Sequence, residues 1–241
     1  MAVKKVNYRN IEFRLSYDRL HAQRPSTILF LHGWGSNKEL MRQAFGRLLT
    51  GYHHLYLDLP GFGKSDNPTV LGTDDYAEIV RTFLSELDIV PDIIVGHSFG
   101  GKVATLLKPP RLILLSSAGI VFPKPLAVRA KIALFKLLKP IGGTKLRRFF
   151  VSDDAKEMPS NMYETFKRVV NEDFTPHFSE YRGRALLCWG KEDRATPPEA
   201  GRRIASLIPQ ARLEMFEGDH YFFLQDPKSV TKVMEDFVAS L

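Results

Sequence analysis

Ser98 lies in Gly96-His97-Ser98-Phe99-Gly100, with a further glycine at Gly101. A serine with glycine two residues to either side is the spacing of a nucleophile held on a tight strand-to-helix turn, where a side chain at the glycines would crowd the backbone. The apolar run at 92–96 reads as a buried strand and residues 102–107 as a helix, which is the setting such a turn requires. An alcohol is a weak nucleophile at neutral pH and needs a base within hydrogen-bond reach. His220 is the expected base, on a loop just after a strand expected at 212–216. An imidazole in that role needs a carboxylate to set its tautomer and stabilise its cation. Asp193, just after a strand expected at 185–189, is the expected partner. Glu192 and Asp219 are its rivals, and Asp219 is disfavoured because neighbouring side chains on an extended loop point apart. The chemistry expected of Ser98, His220 and Asp193 is nucleophilic acyl transfer.

The negative charge that develops on an attacked carbonyl oxygen needs two backbone N–H groups. Phe99, the residue after the serine, is expected to supply one. Trp34, in His32-Gly33-Trp34-Gly35 after the apolar run at 27–31, is expected to supply the other. The rings of Trp34, Phe99 and Phe122 are expected to bind substrate. His32 reads as a brace for the oxyanion loop, and Asp58 and Ser65 as ties for the Pro60-Gly61-Phe62-Gly63 turn. The lone cysteine, Cys188, reads as core packing and excludes both an internal disulfide and a cysteine-based zinc site. His53, His54 and His177 have no companion at metal-ligand spacing, so no metal and no cofactor is expected.

The elements that must position these residues are legible as alternating patterns. Short apolar runs without polar alternation recur at 27–31, 54–58, 92–96, 112–115 and 185–189, as strands buried on both faces do. Helical spacing fills the intervals at 38–49, 75–87, 198–207 and 227–241, and residues 3–18 read as strands around a turn at Arg9-Asn10. Such alternation predicts an α/β fold, a doubly wound and mostly parallel sheet. Strand runs vanish between about 119 and 182, where apolar helical patterns and prolines take over. This predicts a core domain of residues 1–118 and 183–241, with a small helical cap of residues 119–182 inserted at the carboxyl edge of the sheet, where open α/β sheets bind ligands.

As a joint set, His32-Gly33-Trp34-Gly35, the stretch from Asp58 to Ser65, the Ser98 turn, the stretch from Trp189 to Asp193 and Gly218-Asp219-His220 resemble the α/β-hydrolase superfamily, over roughly residues 27–118 and 184–240. The HGWG and DLPGFGKS segments are most similar to carboxylesterases of the pimeloyl-acyl-carrier-protein methyl ester esterase type. The resemblance implies a serine esterase with Ser98, Asp193 and His220 in chain order. Two other members of the superfamily stand as alternatives: hydrolases that cleave C–C bonds in 2-hydroxy-6-oxo-dienoate ring-fission products, and triad-bearing ligand receptors with little turnover. This chain has His97 and Phe99 where the biotin-pathway esterases often carry Trp and Leu around the serine.

The 241 residues suffice for one well-buried core, and 44% hydrophobic with 25% charged residues is ordinary for a soluble protein. No apolar run is long enough to span a membrane, and the opening residues lack the apolar stretch of a secretory signal, so a cytoplasmic enzyme is expected. The net charge of +7 is concentrated: residues 120–150 hold eight basic residues, including Arg129, Lys131, Arg147 and Arg148, and no acid. Interleaved with Leu126, Ile132, Leu134 and Phe135, they form a basic amphipathic pattern. It reads either as a solvated cap face or as a docking surface for an acidic carrier protein or an anionic surface. No nucleic-acid recognition motif accompanies it.

Overall fold

The computed structural model describes residues 1–122 and 158–240. Eight strands form one sheet: β1 (Ala2–Tyr8), β2 (Ile11–Leu20), β3 (Thr27–Leu31), β4 (His53–Leu57), β5 (Ile93–His97), β6 (Arg111–Leu115), β7 (Arg184–Gly190) and β8 (Ala211–Phe216). Their spatial order is β1-β2-β4-β3-β5-β6-β7-β8. The first two pairings are antiparallel and the rest parallel. The expected α/β sheet is thus present, with a β1–β2 hairpin at its edge that closes at Arg9 and Asn10, both with positive φ. The described helices are α1 (Lys38–Phe45), α2 (Thr73–Ser85), α3 (Phe99–Leu107), α4 (Ser160–Val169), α5 (Thr175–Glu180), α6 (Pro198–Leu207), α7 (Phe222–Gln225) and α8 (Pro227–Ala239).

The unalternating apolar runs are explained by burial on two sides. Leu29, Leu31, Ile94, Leu112, Leu114 and Leu187 pack into one core, with α2, α3 and α6. Their neighbours Ile28, Phe30, Val95, Ile113, Leu115 and Leu186 pack into the other, against α1 and α8. The period of two persists, but both faces are dry. On α8 the inward positions Val230, Met234 and Phe237 recur at helical spacing.

Several boundaries differ from the sequence expectation for local reasons. The helix expected to run to residue 49 ends at Phe45, where the chain tightens and Leu49 takes a positive φ. α2 starts earlier than expected because the Asp75 carboxylate accepts the Gly72 N–H at 2.7 Å, closing the first turn. α3 starts at Phe99 rather than Lys102, since Gly100 and Gly101 are helical despite their low propensity.

Connectivity creates the cleft. From β3 the chain crosses to β4 on one side, then α2 carries it over β3 to β5 on the other. The loops after β3 and β5 therefore diverge at a topological switch point. Leu31 pairs with Gly96, so β5 runs one residue past the end of β3 before it reaches Ser98.

Of the segment 119–182, the described part packs on the main core. Met162 and Val169 of α4, Phe174, Phe178 of α5 and Tyr181 join the same apolar cluster as α2 and α3. The Phe174 N–H donates to Gly119 O at 2.8 Å, so the departing and returning chains meet. Lys102 of α3 is buried and donates to Val169 O at 2.8 Å and to Glu172 at 2.7 Å, with its ammonium over the Phe174 ring. The basic positions from Lys124 to Arg148 lie outside the described residues. Among the described residues no helix is long and apolar enough to cross a membrane.

A buried ion pair ties α1 to the turn after β4. Lys38 and Asp58 are each 1% exposed, with Nζ 2.7 Å from Oδ2. Asp58 also accepts the backbone N–H groups of Lys38 (2.7 Å) and Lys64 (3.0 Å). Breaking such a pair leaves a buried charge without its counter-ion. Lys38→Met is expected to lower unfolding free energy by about 3–5 kcal/mol in urea titrations, and Lys38→Met with Asp58→Asn to recover part of that loss. A single-variant loss no larger than that of an exposed lysine would contradict this.

Candidate active site

Ser98 stands between β5 and α3 with φ 50° and ψ −114°, a strained backbone for a residue with a Cβ. Its backbone groups are held from three directions. Its N–H donates to Leu115 O at 3.1 Å, and its carbonyl accepts from Gly101 and Ala118, both at 3.0 Å. Gly100 has to be glycine: a Cβ there would lie 2.5 Å from the carbonyl oxygens of Leu31 and His32. The first turn of α3 therefore sits directly on the end of β3.

His220 and Asp193 are brought together from 27 residues apart. Asp193 Oδ2 accepts from His220 Nδ1 at 2.8 Å. With Nδ1 carrying the hydrogen, Nε2 is left with its lone pair, the state of a general base. Oδ1 of Asp193 accepts the N–H groups of Ala195 (2.8 Å) and Thr196 (2.9 Å), and Thr196 Oγ1 approaches Oδ2 at 2.8 Å. Burial would raise the Asp193 pKa; the hydrogen bonds from His220 and the Thr196 N–H outweigh it and hold the carboxyl down at about 2. The rivals go elsewhere. Asp219 Oδ1 accepts the Tyr221 N–H at 2.8 Å, and Glu192 is exposed. His220 is 14% exposed, at a groove of about 920 Å³ also lined by Ala195, Pro197 and Tyr221.

The loop after β3 is braced at both ends. His32 Nδ1 donates to Gly33 O at 2.8 Å, and Nε2 accepts the Leu59 N–H at 3.0 Å. Lys38 fixes the other end on Asp58. Ser65 Oγ donates to Asp58 O at 2.7 Å and accepts the Ser16 N–H at 2.8 Å, so Asp58 and Ser65 tie the turn as expected. Among the described residues neither the Trp34 N–H nor the Phe99 N–H has a protein acceptor.

Aromatic rings build one wall. The Trp34 indole meets Phe62 at 4.8 Å, Phe99 at 5.5 Å and Phe166 at 5.3 Å between ring centroids, and Phe99 meets Tyr76 at 5.1 Å. Trp34 and Phe99 thus pack together. Phe122 lies at the end of the described segment, 42% exposed, and makes no ring contact with either among the described residues. Phe166 of α4 and Phe62 were not foreseen as part of this wall. Phe62 stands in the loop motif and carried a signal; Phe166 is one apolar residue of an ordinary amphipathic helix, and only the docking of α4 gives it a place here. His97, also unassigned from sequence, is buried beside His220. Among the described residues no three His, Cys, Asp or Glu side chains gather as metal ligands.

Residues 28–233 match the alpha/beta hydrolase family. The chain belongs to that family. It is 27% identical over 230 residues to the 2-hydroxy-6-oxononadienedioate/2-hydroxy-6-oxononatrienedioate hydrolase of Escherichia coli (strain K12), covering 80% of each chain. It is 29% identical over 222 residues to Lipase 1 of Psychrobacter immobilis, covering 79% of this chain and 69% of that one. Among solved structures, the esterase EaEST of Exiguobacterium antarcticum superposes with a TM-score of 0.76 at 23% identity, covering 98% of this chain and 99% of that one. A thermophilic esterase of Thermogutta terrifontis does so with a TM-score of 0.74 at 18% identity, covering 99% and 98%. At these identities the two superpositions show the fold, the alpha/beta hydrolase fold.

Three buried histidines set an acid limit on stability. Burial lowers the pKa of His32 and His54 from 6.5 to about 4 and that of His97 to about 3. Between those values and 6.5 the unfolded chain binds protons that the folded chain excludes, so stability is full above 6.5 and falls as pH drops toward 4. Asp193, held low, adds a loss in the same direction between about 4 and about 2. Urea midpoints measured from pH 7 to pH 4 are expected to fall steadily, and a flat profile would contradict the neutral burial of these rings.

Proposed function

We propose that the protein cleaves carboxylic esters through Ser98, His220 and Asp193, by way of an acyl-enzyme. The observation that carries this reading is the 2.8 Å hydrogen bond between His220 Nδ1 and Asp193, which leaves His220 Nε2 as a proton acceptor on the same edge of the sheet as the strained Ser98. Ser98 Oγ attacks the ester carbonyl while His220 Nε2 takes its proton. The Asp193 carboxylate holds the imidazole and stabilises the imidazolium. The Trp34 and Phe99 N–H groups, which have no acceptor among the described residues, receive the oxyanion. His220 then protonates the leaving alcohol, and water activated by the same nitrogen releases the acid. No cofactor takes part in this scheme.

The wall of Trp34, Phe99 and Phe166 favours an apolar acyl group of short to medium length. Phe122, which we retain as a substrate-binding residue, lies where the chain departs into the segment we assign to the cap, residues 119–182, inserted between core segments 1–118 and 183–241. The finer assignment, to the pimeloyl-acyl-carrier-protein methyl ester type, rests on the HGWG and DLPGFGKS motifs and on the basic residues of 120–150, which suit an acidic carrier. The similarity to the Escherichia coli dienedioate hydrolase keeps a second reading, C–C bond hydrolysis with the same residues.

Initial rates on p-nitrophenyl esters from C2 to C12 test the reading. Turnover is expected in the wild type and absent in Ser98→Ala. Asp193→Asn is expected to lower kcat by on the order of 10⁴, because the imidazole then settles in the wrong tautomer. Absence of Ser98-dependent ester turnover, with rapid turnover of a ring-fission dienoate, would transfer the assignment to the C–C hydrolase. Phe166→Ala is expected to move the optimum toward longer acyl chains, and an unchanged chain-length profile would remove Phe166 from the acyl pocket.

A further inference from the structure

We propose that His97, the residue before the serine, is a positioning residue that holds the His220 loop in register with the oxyanion loop. It rests on the reading of His220 as the base and of the Trp34 loop as the oxyanion site. His97 is fully buried, and its Nε2 lies 3.1 Å from the backbone carbonyl of His220 itself. A carbonyl only accepts, so Nε2 carries the hydrogen and donates it. The His97 ring lies 4.6 Å from the His220 ring, 5.2 Å from Tyr221 and 4.9 Å from Phe223, so it braces the segment through the base by one hydrogen bond and three ring contacts.

The other edge of the same ring faces the oxyanion loop. Nδ1 has no hydrogen-bond partner and lies 3.0 Å from where a Cβ on Gly33 would stand, with the Ser98 Cβ at 3.1 Å from that point. Gly33 therefore rests directly on His97, in contact distance of the serine, and the next residue is Trp34. One imidazole spans the gap between the segment that supplies the base and the segment that supplies an oxyanion N–H. It occupies that gap as a neutral group, since burial keeps its pKa at about 3, and so places no second positive charge beside the imidazolium of His220.

Donation to the His220 carbonyl and filling of the space are separable. His97→Gln keeps an N–H₂ group near the position of Nε2, whereas His97→Met fills the space and donates nothing. Steady-state kinetics on the best p-nitrophenyl ester, with urea unfolding of each variant, test the proposal. His97→Met is expected to lower kcat on the order of 10²-fold, the loss that about an ångström of misplacement brings, with KM within about threefold. His97→Gln is expected to return kcat to within about fivefold of wild type. If the Met variant does not fold, His97→Leu replaces it as the non-donating form. Equal kcat in the donating and non-donating variants, or a change confined to KM, would overturn the role of His97 while leaving the esterase reading intact. Wild-type protein without Ser98-dependent turnover of either an ester or a ring-fission dienoate would overturn the reading of His220 as the base and the role of His97 with it.

Discussion

The close approach of the α3 N-terminus to the end of β3 is the constraint on which the rest of the site depends. Gly100 packs against the carbonyl oxygens of Leu31 and His32 with no room for a methyl group, and this contact brings the serine turn against the loop that follows β3. The positive φ at Ser98 is the backbone consequence. Strain of this kind costs on the order of 1–3 kcal/mol and persists only where the surroundings over-determine it. Here they do so through three backbone hydrogen bonds to Ser98 and through two cores that clamp β3 and β5 from opposite faces.

Around that contact the molecule is arranged in braces of differing strength. The loop after β3 is fixed by His32 at one end and by the Lys38–Asp58 pair at the other. Asp193 is fixed by two backbone N–H groups as well as by His220, so the carboxylate is oriented independently of the imidazole it meets. His220 sits on a short loop between β8 and α7 and has the fewest backbone ties of the three. Its carbonyl is held by a side chain of the strand that carries the serine. His32, Lys38, Asp58, His97 and Asp193 are all buried where loops from separate strands must keep a common geometry, and low local dielectric makes each of their bonds directional and costly to lose.

α4 joins this arrangement from the far side of the chain. Asn161 donates to Asn67 O at 2.7 Å, Thr165 Oγ1 accepts the Leu71 N–H at 3.0 Å, and Lys102 binds Val169 and Glu172, with Thr73 Oγ1 also on Glu172. The helix is pinned along its length to the loop after β4 and to α3. Phe166 is consequently a fixed part of the aromatic wall. This docking couples the returning end of the 119–182 segment to α3, so the shape of the aromatic wall depends on contacts 67 to 99 residues apart in sequence.

The α/β class and the strand runs were legible in the chain, and Ser98, Asp193 and His220 stood out there as candidates, because each has a local cause. Burial on both faces writes an unbroken apolar run, a crowded turn demands glycine at fixed offsets, and a loop after a parallel strand must open on the carboxyl edge. Element ends were legible only to within a few residues, since caps such as Asp75 on Gly72 and helical glycines such as Gly100 and Gly101 compete with propensity. The place of Phe166 against Trp34 and the span of His97 from Gly33 to the His220 carbonyl were decided by tertiary structure alone. Each depends on the distance between segments remote in sequence, which strand order and helix docking set and no local pattern records.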